Sequence, residues 1–333
     1  MRDFTNRTVV VTGASAGVGR AIAHRFARAG ARLGLIARDA EALQSVQHEV
    51  EELGGTAVVA PADVAEANAV FAAADRIRDA FGAIDVWIND AMVTVFAPVW
   101  EIAPDEFRRV TEVTYLGFVH GTLAALRDMR PRNRGTIIQI GSALAYRGIP
   151  LQAAYCGAKH AMRGFTDSLR TELLHEGSRI NLSVVELPAV NTPQFDWART
   201  HMGQQPRPVP PVVQPEVIAE WVFRTARHPR RETWIGWSTL KAILGNMFLP
   251  EVLDRYLARK TVAAQQSRAP VSPMRADNLD APVHHLHRTH GRFDREASGA
   301  AIAIPGPVAR AAPIAAGVMA LVAVAMLARG GRR

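Results

Sequence analysis

The chain has 333 residues, 48% of them hydrophobic, which is enough to bury the core of one large domain or of two ordinary ones. Its formal net charge is +8, yet the basic residues are almost all arginine and form no run with interleaved aromatic residues, so the composition argues against a nucleic-acid-binding protein. Cys156 is the only cysteine, which excludes an intrachain disulfide and favours a reducing, cytoplasmic compartment.

Strand and helix patterns alternate along the first two thirds of the chain. Between the strands, apolar residues recur at helical spacing, as in residues 17–29 and 39–53. Such alternation with short connections predicts the α/β class, with one doubly wound parallel sheet carrying helices on both faces in a domain of residues 1–260. Short apolar runs predict the buried strands, at residues 8–13, 31–37, 56–63, 84–90, 135–142 and 179–188.

A glycine-rich loop, TGASAGVG at residues 12–19, lies between the first strand and the first helix. Its glycines allow a tight turn, close approach of a pyrophosphate and close helix–strand packing, while the helix start presents free N–H groups to phosphates. A tight turn without a ligand is the alternative, but the position between strand and helix favours a dinucleotide. The predicted loop contacts are Gly13, Ser15, Gly17, Val18 and Gly19.

The spacing Gly-x-x-x-Gly-x-Gly resembles the cofactor motif of the short-chain dehydrogenase/reductase family, and further motifs stand in that family's order over about residues 5–245. The resemblance implies a Rossmann-type fold and an oxidoreductase that interconverts a carbonyl and an alcohol with a nicotinamide cofactor. It also implies adenine contacts at Asp63 and Val64, a cofactor contact at Asn89, catalytic residues at Ser142, Tyr155 and Lys159, and a contact beside the nicotinamide at Thr192.

Tyr155 and Lys159 are four residues apart and share one face of a helix that follows the strand ending in Ser142. An unperturbed tyrosine has a pKa of about 10, and a nearby ammonium group lowers that value. Tyr155 would then act as general acid and base, while Ser142 donates to the substrate oxygen. Lys159 could also hold the ribose hydroxyls of the cofactor. The alternative is an interfacial aromatic residue beside a solvated lysine.

The sequence departs from the family pattern near these motifs. Asp90 and Met92 replace an amide and a glycine after the fourth strand, and Ala189 replaces a glycine after the sixth. Thr114 stands where the family often places the asparagine of a proton relay, and its hydroxyl could hold the relay water. Cys156 has no second cysteine or basic partner in sight, so we interpret it as a packing residue rather than a reactive thiol.

The end of the second predicted strand indicates which nucleotide binds. Arg38 stands at the tip of that strand, and Asp39 follows it. An arginine can pair with the 2′-phosphate of NADP, whereas an acidic residue here binds the 2′-hydroxyl of NAD. By resemblance to family members with a basic residue at this position, we predict NADP(H). Asp39 as the ribose ligand, or as the cap of the next helix, is the alternative.

Large apolar residues gather where the family keeps its substrate lid, over residues 193–215, and again over residues 234–260. They predict a small-molecule carbonyl or alcohol substrate that is apolar or bulky. For residues 234–260 we favour core packing together with a homo-oligomer face over a lipid-facing surface. The residues predicted at the substrate are Val93, Val95, Phe96, Phe195, Trp197 and Met202.

The carboxy-terminal part changes in composition, and residues 261–312 show little periodicity, which predicts a flexible, disordered linker. An apolar segment at residues 313–328 then predicts a membrane-associated helix; a hairpin, a shallow interfacial helix and a tail anchor are all open. We predict no metal site, because the histidines of the linker lack cysteine or carboxylate partners in the sequence: His284, His285, His287 and His290.

Together these patterns predict a cytoplasmic, NADP(H)-dependent oxidoreductase attached to a membrane by its tail. Two other classes remain open. Asp90, Thr114 and Ala189 leave room for a nucleotide-binding scaffold with weak or no catalysis. The apolar tail leaves room for a membrane-tethering module whose tail matters more than its pocket.

Overall fold

A mostly parallel sheet of eight strands organises residues 4–311, the part of the chain that this computed structural model describes. Its strands are β1 Thr8–Thr12, β2 Arg32–Ala37, β3 Thr56–Pro61, β4 Ile84–Asn89, β5 Gly135–Ser142, β6 Ile180–Leu187, β7 Glu232–Ile235 and β8 Ala303–Pro305. Across the sheet they follow the order β3-β2-β1-β4-β5-β6-β7-β8. Neighbours from β3 to β7 pair in parallel, and β8 pairs antiparallel with β7.

Helices cover both faces of this sheet. They are α1 Gly17–Ala27, α2 Ala40–Glu52, α3 Ala67–Phe81, α4 Pro104–Thr111, α5 Gly117–Arg132, α6 Ala153–His175, α7 Pro215–Arg227, α8 Trp237–Phe248 and α9 Pro250–Ala264. In β1, Val9 and Val11 pack with α1, α2 and α7, whereas Val10 packs with α3, α5 and α6. Burial on both sides explains why the strands are apolar runs without alternation. The predicted α/β class and doubly wound Rossmann-type sheet are confirmed.

Shorter elements connect these helices and strands. A π-helical turn, Glu112–Leu116, joins α4 to α5. Single turns of helix lie at Val99–Glu101, Ala143–Ala145, Gln194–Trp197 and His284–Leu286. Short strands outside the main sheet are Val95–Phe96, Ala189–Val190, Arg199–Thr200, Gln204–Pro206, Val212–Val213, Gln266–Pro270 and Ala297–Ser298.

The described residues of the carboxy-terminal segment form defined elements and contacts, which the prediction of a disordered linker at 261–312 did not include. The first of them complete α9, and Gln266–Pro270 then pairs antiparallel with Gln204–Pro206. Leu279 is fully buried, and β8 closes the edge of the main sheet. Contacts with residues distant in sequence, rather than local periodicity, order this segment.

The predicted membrane helix at residues 313–328 lies outside the described residues. Among residues 4–311, no helix is long and apolar enough to cross a membrane.

A substitution at Gly19 tests the close packing of α1 on the sheet edge. A Cβ at this position would lie 2.3 Å from the carbonyl oxygen of Gly13, an atom of fixed backbone. We expect Gly19→Ala to lower the free energy of unfolding by about 1–3 kcal/mol, measured by denaturant titration. The matched control is Gly164→Ala in α6, where a Cβ meets nothing within 4 Å. It should stabilise by up to about 1 kcal/mol through helix propensity. Equal effects at the two positions would contradict the steric account.

Candidate functional site

A cavity of about 740 Å³ lies along the edge of the sheet where the parallel strands end. That is the place where open α/β sheets bind their ligands, and the volume is within the usual range for ligand pockets. Two of the predicted site residues, Gly19 and Asn89, do not line it. The others do: Gly13, Ser15, Gly17, Val18, Arg38, Asp63, Val64, Ser142, Tyr155, Lys159 and Thr192.

The glycine loop turns tightly between β1 and α1. Gly13 has a φ of +73°, and a Cβ there would lie 2.8 Å from the Cα of Ala91. Gly17 has a φ of +56°, and its Cβ would lie 3.1 Å from the Thr192 side chain. The loop therefore packs against the segments after β4 and β6 with room for no side chain. Gly19 serves this packing and not the cavity wall.

Asn89 does not contact the cavity, which corrects its prediction as a cofactor ligand. Its Nδ2 donates to Gln139 Oε1 at 2.8 Å and to Thr122 Oγ1 at 3.1 Å, and its Oδ1 accepts from Trp87 Nε1 at 2.8 Å. These bonds use both ends of the amide within the core. Asn89 thus ties β4 to β5 and α5, because a buried amide must find its partners inside the protein.

Tyr155 stands at the centre of the cavity, in the first turn of α6, beside Ser142 at the end of β5. Burial raises the pKa of Tyr155 above its ordinary value, and the hydrogen bond with Ser142 offsets part of that rise. The phenol is therefore protonated near neutral pH. Ser142 Oγ also accepts from the N–H of Leu144 at 3.1 Å, which fixes its position.

Lys159 is 1% exposed and lies one helical turn beyond Tyr155. Its Nζ donates to the carbonyl of Ile140 at 2.7 Å and stands 5.6 Å from the centre of the Tyr155 ring. Burial lowers the pKa of Lys159 to about 8, against the opposing effect of Asp90 and Glu186. The expected lowering of the tyrosine pKa is not found, because burial raises that pKa and the charges of Cys156, Asp90 and Glu186 add to the rise.

Two buried acids flank Lys159. Burial raises the pKa of Asp90 to about 7, while Lys159 and the Gly19 N–H act in the opposite direction. Burial likewise raises the pKa of Glu186 to about 8, opposed by Lys159 and the Ser142 N–H. Glu186 Oε2 has no hydrogen-bond partner among the described residues. The sequence reasoning missed Glu186, although an acid within the apolar run INLSVVEL was a signal.

The cavity holds Arg38, Asp39 and Asp63 at the tips of β2 and β3, where the sequence predicts the nucleotide. This region is the nucleotide end of the cavity. Arg38 Nη1 and Nη2 donate to the carbonyls of Leu279 and Asn278 at 3.3 and 2.5 Å. Asp63 forms an ion pair with Arg109 and accepts from the N–H of residue 65. Asp39 caps α2 through the N–H of Ala42, as one of the sequence alternatives had it. Residues from the carboxy-terminal segment therefore complete this end.

The other end of the cavity is largely apolar. Phe195, Trp197 and Val93 line the cavity, and Trp197 also lies beside His287, 5.2 Å between ring centres, so it stands between the two ends. Val95, Phe96 and Met202 do not line the cavity, because they pack inside the core instead. The wall is completed from α8 and α9 by residues that include Trp237, Leu253, Tyr256 and Leu257.

Two further residues have structural tasks. Thr114 Oγ1 donates to the carbonyl of Val93 at 2.8 Å and accepts from its N–H at 3.0 Å, so it holds the loop after β4. Burial raises the pKa of Cys156 to about 11, which keeps the thiol protonated and agrees with packing. Within residues 4–311 no cluster of His, Cys, Asp or Glu could hold a metal ion.

Comparison with known proteins places this geometry in context. The family model of short chain dehydrogenases matches residues 7–202. An uncharacterized oxidoreductase of Bacillus subtilis, YxnA, is 31% identical over 82% of this chain and 77% of its own. The dehydrogenase/reductase SDR family member 7B of Bos taurus is 36% identical over 58% of this chain and 61% of the bovine protein.

Solved structures give the same picture. An alcohol dehydrogenase from the archaeon Thermococcus sibiricus, complexed with 5-hydroxy-NADP, has a TM-score of 0.59 and 27% identity over 68% of this chain and 95% of its own. An NAD⁺-bound xylitol dehydrogenase has a TM-score of 0.54 and 30% identity over 56% of this chain and 72% of its own. Similar structures thus hold either nucleotide.

Glu186→Gln tests the buried acid. With its pKa raised to about 8 from an ordinary 4.5, Glu186 keeps a proton that the unfolded chain has released. Its contribution to stability is complete below pH 4.5 and is lost as the pH rises towards 8. The variant does not titrate, so its melting temperature relative to wild type should rise by at least about 2 °C between pH 5 and pH 8.

The matched control for this prediction is Glu172→Gln on the exposed surface of α6. It also replaces a glutamate carboxylate by an amide, but at an exposed position rather than a buried one. A difference between wild type and Glu186→Gln that stays constant across this pH range would contradict the raised pKa.

Proposed function

The chain belongs to the short chain dehydrogenase family, and from this membership we propose that it is an NADP(H)-dependent oxidoreductase that interconverts a carbonyl and an alcohol. One observation carries the proposal. Ser142, Tyr155 and Lys159 line the same cavity as the glycine loop, so acid–base residues and a phosphate-binding loop serve one ligand space. A scaffold without catalysis would not need a buried tyrosine and lysine there.

The residues present fit a nicotinamide dinucleotide. Gly13 and Gly17 line the cavity with backbone of positive φ and no side chain, as close approach of a pyrophosphate requires. Ser15, Val18 and Thr192 would hold the phosphates, and Lys159 the ribose beside the nicotinamide. When bound, the reduced nicotinamide supplies a hydride to the carbonyl carbon.

The protein's own part in the reaction is to move one proton. In the direction of reduction, the Tyr155 hydroxyl donates its proton to the substrate oxygen as negative charge grows there, and Ser142 donates a hydrogen bond to the same oxygen. The phenolate that remains is stabilised by the Lys159 ammonium group. In oxidation the same proton returns to Tyr155. The raised pKa keeps Tyr155 protonated before the reaction begins.

The carboxyl pair around Lys159 supports this proton transfer. Asp90 and Glu186 both favour the charged form of Lys159, which burial alone would discharge. Because both acids have raised pKa values near neutrality, one of them can take up or release a proton close to working pH. The Thr114 hydroxyl is bonded to the backbone of Val93, so the two acids take its predicted place in proton transfer.

The apolar end of the cavity supports an apolar or bulky substrate. Trp237, Leu253 and Leu257 face it from α8 and α9, and Phe195 and Trp197 from the loop after β6. Burial of apolar surface there supplies binding free energy without directing the chemistry.

Removal of the Tyr155 hydroxyl tests the chemistry. Tyr155→Phe should lower turnover of NADPH with a panel of aldehydes and ketones by at least about a hundredfold, the typical scale of general acid catalysis. Its affinity for NADPH should stay within about twofold. Tyr115→Phe, which removes a hydroxyl outside the cavity lining, is the control. Near-wild-type turnover of Tyr155→Phe would remove this residue from the mechanism.

The nucleotide preference is tested at the tip of β2. We expect NADPH to bind about ten- to a hundredfold more tightly than NADH, because a charge-assisted hydrogen bond from Arg38 is worth roughly 1.5–3 kcal/mol. Arg38→Ala should abolish that ratio in fluorescence titrations. Arg32→Ala, at the opposite end of β2 and bonded to Asn6 and Phe81, should leave it intact. Equal affinities in wild type would defeat the assignment.

A further inference from the structure

Residues 278–293 form a continuous strap across the nucleotide end of the cavity. At its start, Arg38 donates to the carbonyls of Asn278 and Leu279, and Arg109 Nε donates to Leu279 at 3.1 Å. The Leu279 side chain is fully buried in the same apolar cluster as Val64. The strap is thus anchored on the residues that the fold supplies for the adenine side of a dinucleotide.

The far end of the strap is anchored beside the nicotinamide side. The N–H of Phe293 donates to Asn191 Oδ1 at 3.0 Å, and Arg288 donates to Asp196 Oδ2 at 2.8 Å. A Cβ at Gly291 would lie 2.4 Å from the carbonyl oxygen of Thr192, so the backbones touch here. Both ends therefore rest on segments that frame the cavity.

Between these anchors the strap meets the glycine loop itself. The N–H of Gly17 donates to the carbonyl of Arg288 at 3.0 Å, and Arg20 Nη1 donates to that of His287 at 2.9 Å. The strap residues that line the cavity are Asn278, Pro282, Val283 and His287.

His287 is the strap residue whose environment points to a ligand. Its side chain is 9% exposed, packs 5.2 Å from the Trp197 ring, and lines the cavity. Its Nε2 lies 3.0 Å from Asp39 Oδ2 and interacts with that carboxylate. Its Nδ1 has no hydrogen-bond partner among residues 4–311. A buried polar atom without a partner costs about 1–3 kcal/mol, which a bound ligand would recover.

The neighbouring Asp39 shows which part of a ligand lies there. It follows β2, where dinucleotide-binding folds place the residue that contacts the adenosine ribose. Its Oδ1 is used by the cap of α2, and its Oδ2 accepts from His284 Nδ1 at 2.6 Å. The carboxylate is thus bonded within the protein, and an imidazole beside it is left to face the ribose end of the cavity.

We propose that the strap is part of the dinucleotide site, that it closes over the adenosine half, and that His287 supplies a hydrogen bond to the adenosine ribose, which NADPH, NADH and ADP-ribose share. This proposal rests on the proposed function, since it names a further binding residue for the same cofactor. His284 holds Asp39 in place as a positioning residue. The strap has to detach from the glycine loop and reattach for a nucleotide to enter.

Three full-length variants test the role of His287. His287→Phe keeps a flat ring against Trp197 but removes both ring nitrogens, and His287→Gln restores a hydrogen-bonding group. His285→Phe is the matched control, because this exposed residue, two positions away, does not line the cavity. Unchanged melting temperatures would show that all three are folded.

Nucleotide affinities are measured by calorimetry with NADPH, NADH and ADP-ribose, which lacks the nicotinamide. We expect His287→Phe to bind all three at least about tenfold more weakly, the equivalent of one hydrogen bond. His287→Gln should recover part of that loss, and His285→Phe should match wild type. A common factor for the three ligands would exclude the nicotinamide and the 2′-phosphate as the groups that His287 contacts, which distinguishes its effect from the NADPH-to-NADH ratio set by Arg38.

Closure of the strap is read by limited trypsin digestion. Arg288, Arg292 and Arg295 are exposed cleavage sites on or just after the strap. We expect NADPH to slow cleavage there at least about tenfold in wild type and much less in His287→Phe. Cleavage unaffected by saturating NADPH would overturn the closure.

The outcomes separate this proposal from the proposed function. If wild type binds none of the three ligands, the proposed function fails. If wild type binds them and His287→Phe binds equally well, the role of His287 is wrong while the oxidoreductase assignment stands. If the nucleotide affinity of His287→Phe is lowered and that of Tyr155→Phe is not, both proposals are supported.

Discussion

Parallel pairing of β1 to β7 brings the carboxyl ends of these strands to one edge of the sheet, and the residues just beyond those ends make the candidate site. β1 delivers the glycine loop, β2 delivers Arg38 and β5 delivers Ser142. This arrangement needs helices on both faces of the sheet to cover its strands, because parallel strands are buried on both sides. The position of the cavity is therefore a consequence of sheet topology before any side chain is considered.

Charge compensation at Lys159 is the second constraint. An ammonium group that is 1% exposed needs negative charge nearby, and Asp90 and Glu186 supply more than one unit if both ionise. Burial raises the pKa of both acids and Lys159 acts in the opposite direction, since a buried site does not hold an uncompensated charge. The lost amide at residue 90, a departure from the family pattern in the sequence, is part of this balance.

Local patterns were sufficient to predict the sheet, the glycine loop and the shared cavity of Tyr155 and Lys159. They failed where the structure depends on the direction of a side chain or on contacts between residues distant in the sequence. Asn89 stands in the expected motif, but its amide turns into the core, and a motif does not specify which way a side chain points. The segment after residue 264 looked disordered because its contacts are with distant partners such as Arg38 and Asn191, 240 and 102 positions away. No periodicity records such contacts.

The bond from Arg20 to the carbonyl of His287 spans 267 positions of the chain. At a synthesis rate of about 5–20 residues per second, roughly 15–50 s separate the appearance of these two residues. The parallel part of the sheet can begin to fold in that interval with its nucleotide groove uncovered, since β1 to β7 are already made. The groove acquires its outer wall only when the strap is synthesised, so a nucleotide present in the cell can reach the glycine loop of the growing chain before the strap exists.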